Sequence, residues 1–377
     1  MVGKELFTRN TIESRDRTPQ RPLREVSNFV VEKLPTLVTL IDSNKVQAEQ
    51  LLQEVNDVLS RIDHSIITHL LQLAHQNTEG SPNQLAFNTE LDQAAFDLKM
   101  LEIALVTYGE QPPTELTQLV DTFSEATGQL PMITYEDLIY INPESDPRTF
   151  TMGEVGNSEY DFYFGHLRIE RVLETVTQQV EQAAQLLQQE TPQVPQAIAA
   201  LEEAVQLFSE AQQDMHAVGM DLPKDHFAIF RKFFNTHPTR ELKGPSGAFT
   251  AAVPVLDMRL GGENLEPSYF NYLQDNEMYF PRTGRQEMAH AYQKIEAGET
   301  LSTLSAGVGN PEELVNVLHA LSDQVRQFRG QHYRGVRHQI PEAVTGNLMG
   351  TGGEEDPGQF LRGRMRMRHI KGTKNAT

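Results

Sequence analysis

The 377-residue sequence predicts a mainly α-helical protein. Apolar residues recur at helical spacing through most of the chain, and no stretch shows the alternation of apolar and polar residues that is typical of a strand. The helical pattern breaks at 130–162, where β-branched and aromatic residues mix with proline, asparagine and aspartate. We interpret this break as an interdomain linker, so we expect two helical domains.

The domain boundaries follow from the order of the helical patterns. Residues 1–25 are polar and arginine-rich and carry prolines, which predicts an extended arm. A small N-terminal helical domain is predicted at 26–129, with helical spacing over 37–76, 89–108 and 113–127. A large helical domain is predicted at 163–377, with helices near 163–189, 195–219, 223–235, 265–278, 284–296 and 311–338.

Composition excludes several classes of protein. The 32 basic and 52 acidic residues give a net charge of −20, which argues against a nucleic-acid partner whose phosphates must be neutralised. The absence of cysteine excludes disulfides and thiolate metal sites. No signal peptide and no run of 18 apolar residues is found, so we expect a cytoplasmic protein without a membrane partner. A basic tail predicts either a solvated C-terminus or a docking surface, and it contains Arg362, Arg364, Arg366, Arg368, Lys371 and Lys374.

The helix predicted at 311–338 places a histidine on its buried stripe. Asn310 should cap this helix and Pro311 should open its first turn. The stretch FRGQHYRGVRH then weakens the helix at Gly330 and Gly335, each at a cost of about 1 kcal/mol relative to alanine. The apolar stripe that leads to His332 consists of Leu314, Leu318, Leu321, Val325 and Phe328.

His332 has two interpretations at this point. A histidine on an apolar stripe is by default a core residue with hydrogen-bonded nitrogens. The flanking glycines favour a broad, flat ligand against this face of the helix, and haem is such a ligand, since its iron accepts an imidazole nitrogen as axial ligand. Several nearby cations could hold a haem propionate, namely Arg326, Arg329, Arg334 and Arg337.

Ordered sequence blocks over about 130–365 resemble the haem-dependent indoleamine/tryptophan dioxygenase superfamily, closest to its monodechloroaminopyrrolnitrin synthase branch. The blocks are LPMITYEDLIYINPESDP, DHFAIFRKFF, GPSGAFTAAVPVLDMRLG, YLQDNEMYFPRTGRQ, and FRGQHYRGVRH followed by GTGG. The resemblance implies an indoleamine 2,3-dioxygenase-like fold, in which a large helical haem-binding domain follows a smaller N-terminal helical domain.

The resemblance also implies roles for individual residues. His332 would be the proximal ligand of a haem b iron, and Asp257 and Arg329 would be the buried acid–arginine pair that braces this side. Arg231 would bind the carboxylate of an amino-acid substrate, a task that suits a planar guanidinium. Small residues would line the distal pocket (Ser246, Gly247, Ala248), make room for the porphyrin (Gly330, Gly335) and form a flap over the substrate (Gly350, Thr351, Gly352, Gly353).

Two histidines depart from the pattern of the indoleamine enzymes. His166, in YFGHLRIE, stands near a distal position where those enzymes carry a serine. His226 stands where they carry an aromatic residue before the substrate-binding arginine. A distal histidine is similar to tryptophan dioxygenases, in which it hydrogen-bonds the indole N–H. Both histidines could equally be ordinary polar residues.

The resemblance implies a haem oxygenase whose partners are O2 and tryptophan or a related aromatic amino acid. The reaction would be either dioxygenation, which opens the indole ring, or a pyrrolnitrin-type ring rearrangement. Other functions stay open: a haem-binding sensor, a non-catalytic helical interaction protein, or, less favoured, a di-iron bundle that uses Glu287 and His290 of QEMAH. A homodimer is also left open.

Overall fold

The computed structural model describes residues 21–78, 89–344, 363, 364, 367, 369 and 370. Over these residues the protein is mainly helical and has no strand, as the sequence predicts. No helix in this part of the chain is long and apolar enough to cross a membrane. The chain divides into two compact units, residues 1–131 with 140–156 and residues 132–139 with 157–377.

In the described part of the first unit, a π-helical turn, Phe29–Lys33, joins the helices α1 (Arg24–Asn28) and α2 (Leu34–Asp42) into one continuous segment. The apolar spacing over 37–76 is shared by three helices and not by one, because the chain turns after Asp42 and after Leu59. The helices of this unit are α1 (Arg24–Asn28), α2 (Leu34–Asp42), α3 (Ala48–Leu59), α4 (His64–Thr78), α5 (Thr89–Thr107) and α6 (Thr114–Thr127).

A buried ion pair organises the centre of the first unit. Arg148 and Asp97 are both fully buried, and Arg148 Nε lies 3.0 Å from Asp97 Oδ1. Ser27 Oγ donates to the other carboxylate oxygen at 2.6 Å, and the Asn142 side chain brackets the Arg148 backbone. Arg148 and Asn142 belong to the segment 130–162, for which an irregular linker was predicted. This part of the segment is therefore bonded into the unit.

The second unit contains the long helices. Its first helix starts at Gly153, earlier than the predicted 163, and the predicted helix at 195–219 ends in a π-helical turn, Ala217–Asp221. The helices of this part are α7 (Gly153–Leu187), α8 (Val194–His216), α9 (Lys224–Arg231), α10 (Ala252–Gly261), α11 (Pro267–Asp275), α12 (Arg282–Glu296), α13 (Leu301–Gly307), α14 (Glu312–Gln339) and α15 (Pro341–Val344).

Helix α14 carries the predicted apolar stripe into the core. The stripe residues from Leu314 to Phe328 are at most 5% exposed and pack with apolar residues of α7, α8, α10 and α13. The predicted capping role of Asn310 is wrong. Asn310 has a positive φ of 50°, and its side chain accepts a hydrogen bond from Ser305 Oγ at 3.0 Å. Asn310 is thus bonded to α13, which ends at Gly307, while Pro311 precedes the first residue of α14.

Two glycines fix how closely helices of the second unit approach the π-helical turn Ala217–Asp221. A Cβ on Gly335 of α14 would lie 2.9 Å from the Gly219 Cα. A Cβ on Gly165 of α7 would lie 2.3 Å from Val218 Cγ2. Gly335 therefore permits a backbone-to-backbone contact, and the prediction that it makes room for a porphyrin is wrong. Since Gly165 precedes His166 and Gly335 follows His332 by one turn, the same turn also sets the spacing of both histidine-bearing helices.

Substituting Gly335 by alanine should destabilise the protein by about 1–3 kcal/mol, because the added methyl group meets backbone that cannot rotate away. Urea unfolding followed by circular dichroism measures this change. Gly307→Ala is the matched control, since nothing lies within 4 Å of a Cβ at this helical glycine; its effect should stay within about 0.5 kcal/mol. Equal unfolding midpoints for the two variants would contradict the close-packing explanation.

Candidate functional site

His332 lies on α14, where its surroundings desolvate the ring but leave part of it exposed. Its side chain is half-buried, and neither ring nitrogen has a hydrogen-bond partner among the described residues. Burial, together with a smaller contribution from the neighbouring His166, lowers the pKa of His332 to about 4. The imidazole is therefore neutral at physiological pH and offers an unprotonated nitrogen. The interpretation as a core histidine with hydrogen-bonded nitrogens does not describe this residue.

His166 is the second histidine of this site. It is 8% exposed, and its Nδ1 lies 2.7 Å from the Phe162 carbonyl oxygen, so Nδ1–H is the donor. Because Nδ1 carries the proton, the lone pair is on Nε2. Burial lowers the pKa of His166, and the bond to the Phe162 carbonyl opposes this shift only in part. Two neutral imidazoles with available nitrogens are thus neighbours.

An aromatic cluster connects His166 to helix α9. The Phe162 ring centroid lies 4.5 Å from the His166 ring and 5.6 Å from the Phe230 ring. His226 of α9 forms a hydrogen bond with Ser158 of α7, in which His226 Nδ1 lies 2.8 Å from Ser158 Oγ. Packing of α9 on α7 therefore fixes the position of Phe230, and Arg231 is the next residue of α9.

Arg231 is a cation without an anion. It is half-buried, its Nε is a buried donor without a hydrogen-bond partner, and no ion pair joins it to another described residue. Burial lowers the pKa of its guanidinium, and the negative charge of Glu342 opposes this shift. A desolvated guanidinium with free donors favours a ligand that carries a carboxylate.

Asp257 and Arg329 form a buried ion pair between α10 and α14. Tyr269 Oη donates to the same oxygen, Oδ2, at 2.5 Å, and His369 Nε2 lies 2.8 Å from Oδ1. Burial raises the pKa of Asp257, but Arg329 and the hydrogen bonds from His369 and Tyr269 outweigh burial and hold the pKa below its usual value. Arg329 lies one helical turn before His332, so this network braces the histidine-bearing turn.

The loop 246–248 faces the tip of the His332 ring. Ser246 Oγ accepts from Ala248 N–H at 3.2 Å and begins the short helix Gly247–Phe249. A Cβ on Gly247 would lie 3.7 Å from His332 Nε2, and no other described atom would lie within 4 Å of it. A side chain at position 247 would therefore stand in ordinary van der Waals contact with the tip of the His332 ring.

These residues fit haem in their chemistry. The porphyrin supplies most of the iron ligands, so one or two neutral imidazoles complete its coordination. No group of three or more histidine, aspartate or glutamate residues in the described part of the chain could hold a free metal ion. Contacting carbon atoms lie about 3.5–4.0 Å apart. A flat ring between Nε2 and Gly247 therefore requires the turn Gly247–Phe249 to move outward.

The described residues do not test the roles predicted for several other positions. Gly350, Thr351, Gly352 and Gly353, the predicted flap, lie outside the described residues. Gly330 is buried on α14. On α12, His290 is exposed and Glu287 is half-buried, and no metal-binding cluster of described residues includes this pair.

Sequence reasoning missed two features of the site. The first is His369, whose only signal is a histidine within a basic tail. The second is the π-helical turn Ala217–Asp221, for which the sequence VGMD offers Gly219 but no change in apolar spacing. Neither signal is specific enough to predict a contact with a residue far away in sequence.

Comparison with known proteins adds no family assignment: no protein-family model matches the chain, and no curated protein matches it significantly.

Proposed function

We propose that the protein is a histidine-ligated haem oxygenase that acts on tryptophan or a related aromatic amino acid. The observation that carries this proposal is the pair His332 and His166, two neighbouring neutral imidazoles, of which His332 points its free Nε2 at a glycine. The ordered sequence blocks support the same function. Haem would supply the oxygen chemistry, and the protein would supply binding, orientation and electrostatics.

On this proposal, His332 is the axial ligand and the Asp257–Arg329 pair fixes the helical turn that carries it. Contacts of this kind orient a metal ligand and tune the metal. The half-buried loop of Ser246, Gly247 and Ala248 lines the opposite side. His166 Nε2 can accept a hydrogen bond from a substrate N–H, because its own proton is held on Nδ1 by the Phe162 carbonyl.

Arg231 would bind the carboxylate of the substrate. Its free donors and its desolvation give it a large gain from pairing with an anion, about 1.5–3 kcal/mol for a charge-assisted bond. The phenylalanines of the cluster, Phe162 and Phe230, connect this position to His166. The substrate's carboxylate and its aromatic ring would thus be held by two helices, α9 and α7, that pack on each other.

Arg231→Ala should weaken binding of tryptophan to the haem-loaded protein by about 10–100-fold. Titration of the absorption spectrum measures this change. Tryptamine, which lacks the carboxylate, should bind the wild type and the variant equally. Arg326→Ala is the matched control, because Arg326 is exposed and pairs with Asp323 on the surface of α14. Equal losses of tryptophan and tryptamine affinity would exclude a carboxylate contact.

A haem-binding sensor is the second candidate, and the proximity of His166 to His332 favours it. If both His332 and His166 held the haem iron, no position on it would remain for O2. Oxygen consumption separates the candidates: the oxygenase consumes O2 when tryptophan or another aromatic amino acid is added. A haem-loaded protein that consumes no O2 with any aromatic amino acid would support the sensor.

A further inference from the structure

The C-terminal residues Arg364, His369 and Ile370 cross the second unit as a strap. His369 is 1% exposed and bridges two helices. Its Nε2 lies 2.8 Å from Asp257 Oδ1 on α10, and its Nδ1 lies 2.8 Å from Ser322 Oγ on α14. The carboxylate accepts from His369 Nε2–H, and the Ser322 hydroxyl can either donate to Nδ1 or accept from it, so the ring bonds to both helices.

Other contacts hold the strap independently of the imidazole. Asn264 Nδ2 donates to the His369 carbonyl oxygen at 2.7 Å. A Cβ on Gly261 would lie 1.8 Å from that oxygen, so only glycine at the end of α10 admits the strap backbone. The Arg364 guanidinium lies 4.1 Å from the centroid of the Tyr269 ring, and Ile370 packs against the hydrophobic core. These contacts make a built docking site for this segment.

The strap reaches Asp257 from the side that Arg329 leaves free. Arg329 and Tyr269 use Oδ2, whereas His369 uses Oδ1, so both carboxylate oxygens are bonded. Arg329 Nη1 also donates to the Arg364 carbonyl oxygen at 3.4 Å. The strap therefore contacts both Asp257 and Arg329. Arg329 precedes His332 on α14 by one helical turn.

We propose that His369 is a positioning residue for the candidate haem site: by fixing Asp257, it fixes Arg329 and the turn of α14 that carries His332. The effect on haem rests on the proposed function, whereas the effect on α14 does not. The proposal gives Arg364 and His369, two described residues of the C-terminal segment, a role in bracing α14.

The test compares His369→Ala with His369→Gln by hydrogen exchange, followed by mass spectrometry, on the full-length protein. His369→Ala should speed exchange of the amides at 328–333 by about tenfold or more, because it leaves a buried carboxylate oxygen without its donor. His369→Gln, whose amide can still donate to Asp257, should restore most of the protection. A peptide of α12 that lacks His290, 282–288, reports general destabilisation, and His290→Ala is the matched histidine control.

Two results would overturn the proposal. One is faster exchange confined to 363–370 with unchanged exchange at 328–333, which would show that the strap docks without bracing α14. The other is an equal loss of protection in the alanine and glutamine variants. In the haem-loaded protein, His369→Ala should also shift the reduction potential, and His369→Gln should shift it less. If the wild type binds no haem, the proposed function fails, while the exchange data still decide whether His369 braces α14.

Discussion

Replacing His332 by alanine should abolish the Soret band of protein that is expressed with a haem precursor. The reason is that no other described residue opposite Gly247 offers a nitrogen at the tip of a neutral ring. Loss of residues that only support a ligand costs about 10–100-fold in metal affinity, so loss of the ligand itself should cost at least about 100-fold. The measurement is the absorption spectrum together with the haem content per chain.

Two controls make this result specific. His290→Ala removes an exposed histidine from α12 and should leave the Soret band unchanged. Imidazole added to His332→Ala should restore a Soret band, since the small ligand can occupy the space of the lost ring. An unchanged band in His332→Ala would place the ligand elsewhere, and a folded wild type without a Soret band would contradict the haem proposal.

Replacing Asp257 by asparagine should destabilise the protein by about 3–5 kcal/mol, the usual cost of removing one member of a buried ion pair. The variant keeps the shape of the side chain but leaves the Arg329 charge buried without a counter-charge. It also weakens the acceptor for Tyr269 and His369. Urea unfolding at neutral pH measures the loss of stability.

The chain provides a matched exposed pair for comparison. Asp323 and Arg326 form an ion pair at 2.9 Å on α14, with both side chains more than half exposed. Asp323→Asn should cost no more than about 1 kcal/mol, because solvent screens such a pair. If Asp257→Asn cost as little as Asp323→Asn, the Asp257 network would contribute no more than a surface pair.

The apolar periodicity was enough to predict the helices and the buried face of α14, because a stripe such as Leu314, Leu318 and Leu321 repeats locally. The π-helical turns were not predictable, since they change the hydrogen-bond pattern without changing the spacing of apolar residues. Boundaries also failed where a polar residue had two suitable positions. Asn310 fits a helix start by residue type, but here its side chain bonds to Ser305 of the preceding helix.

Sequence reasoning paired Asp257 with Arg329 correctly and assigned the wrong neighbour to Gly335. The Asp257–Arg329 pair exists, although its role toward haem stays a proposal. A glycine within a helix indicates that a side chain is not tolerated, but it does not indicate which neighbour excludes the side chain. Gly335 was therefore assigned to a ligand. The neighbour that excludes the side chain is Gly219, and no local pattern indicates it. His369 escaped notice for the same reason.

Because Gly219 and Gly335 are in contact, the effect of a substitution at one of them depends on the residue at the other. Either glycine, once substituted, forces the turn Ala217–Asp221 away from α14, and the second substitution then enters a gap that already exists. The loss of stability in the double variant should therefore be smaller than the sum of the losses in the two single variants, since residues in contact are usually not additive. A substitution at either position is therefore poorly tolerated while the other is still glycine. Sequences that differ at both positions should be tolerated better than the stability losses of the two single variants suggest.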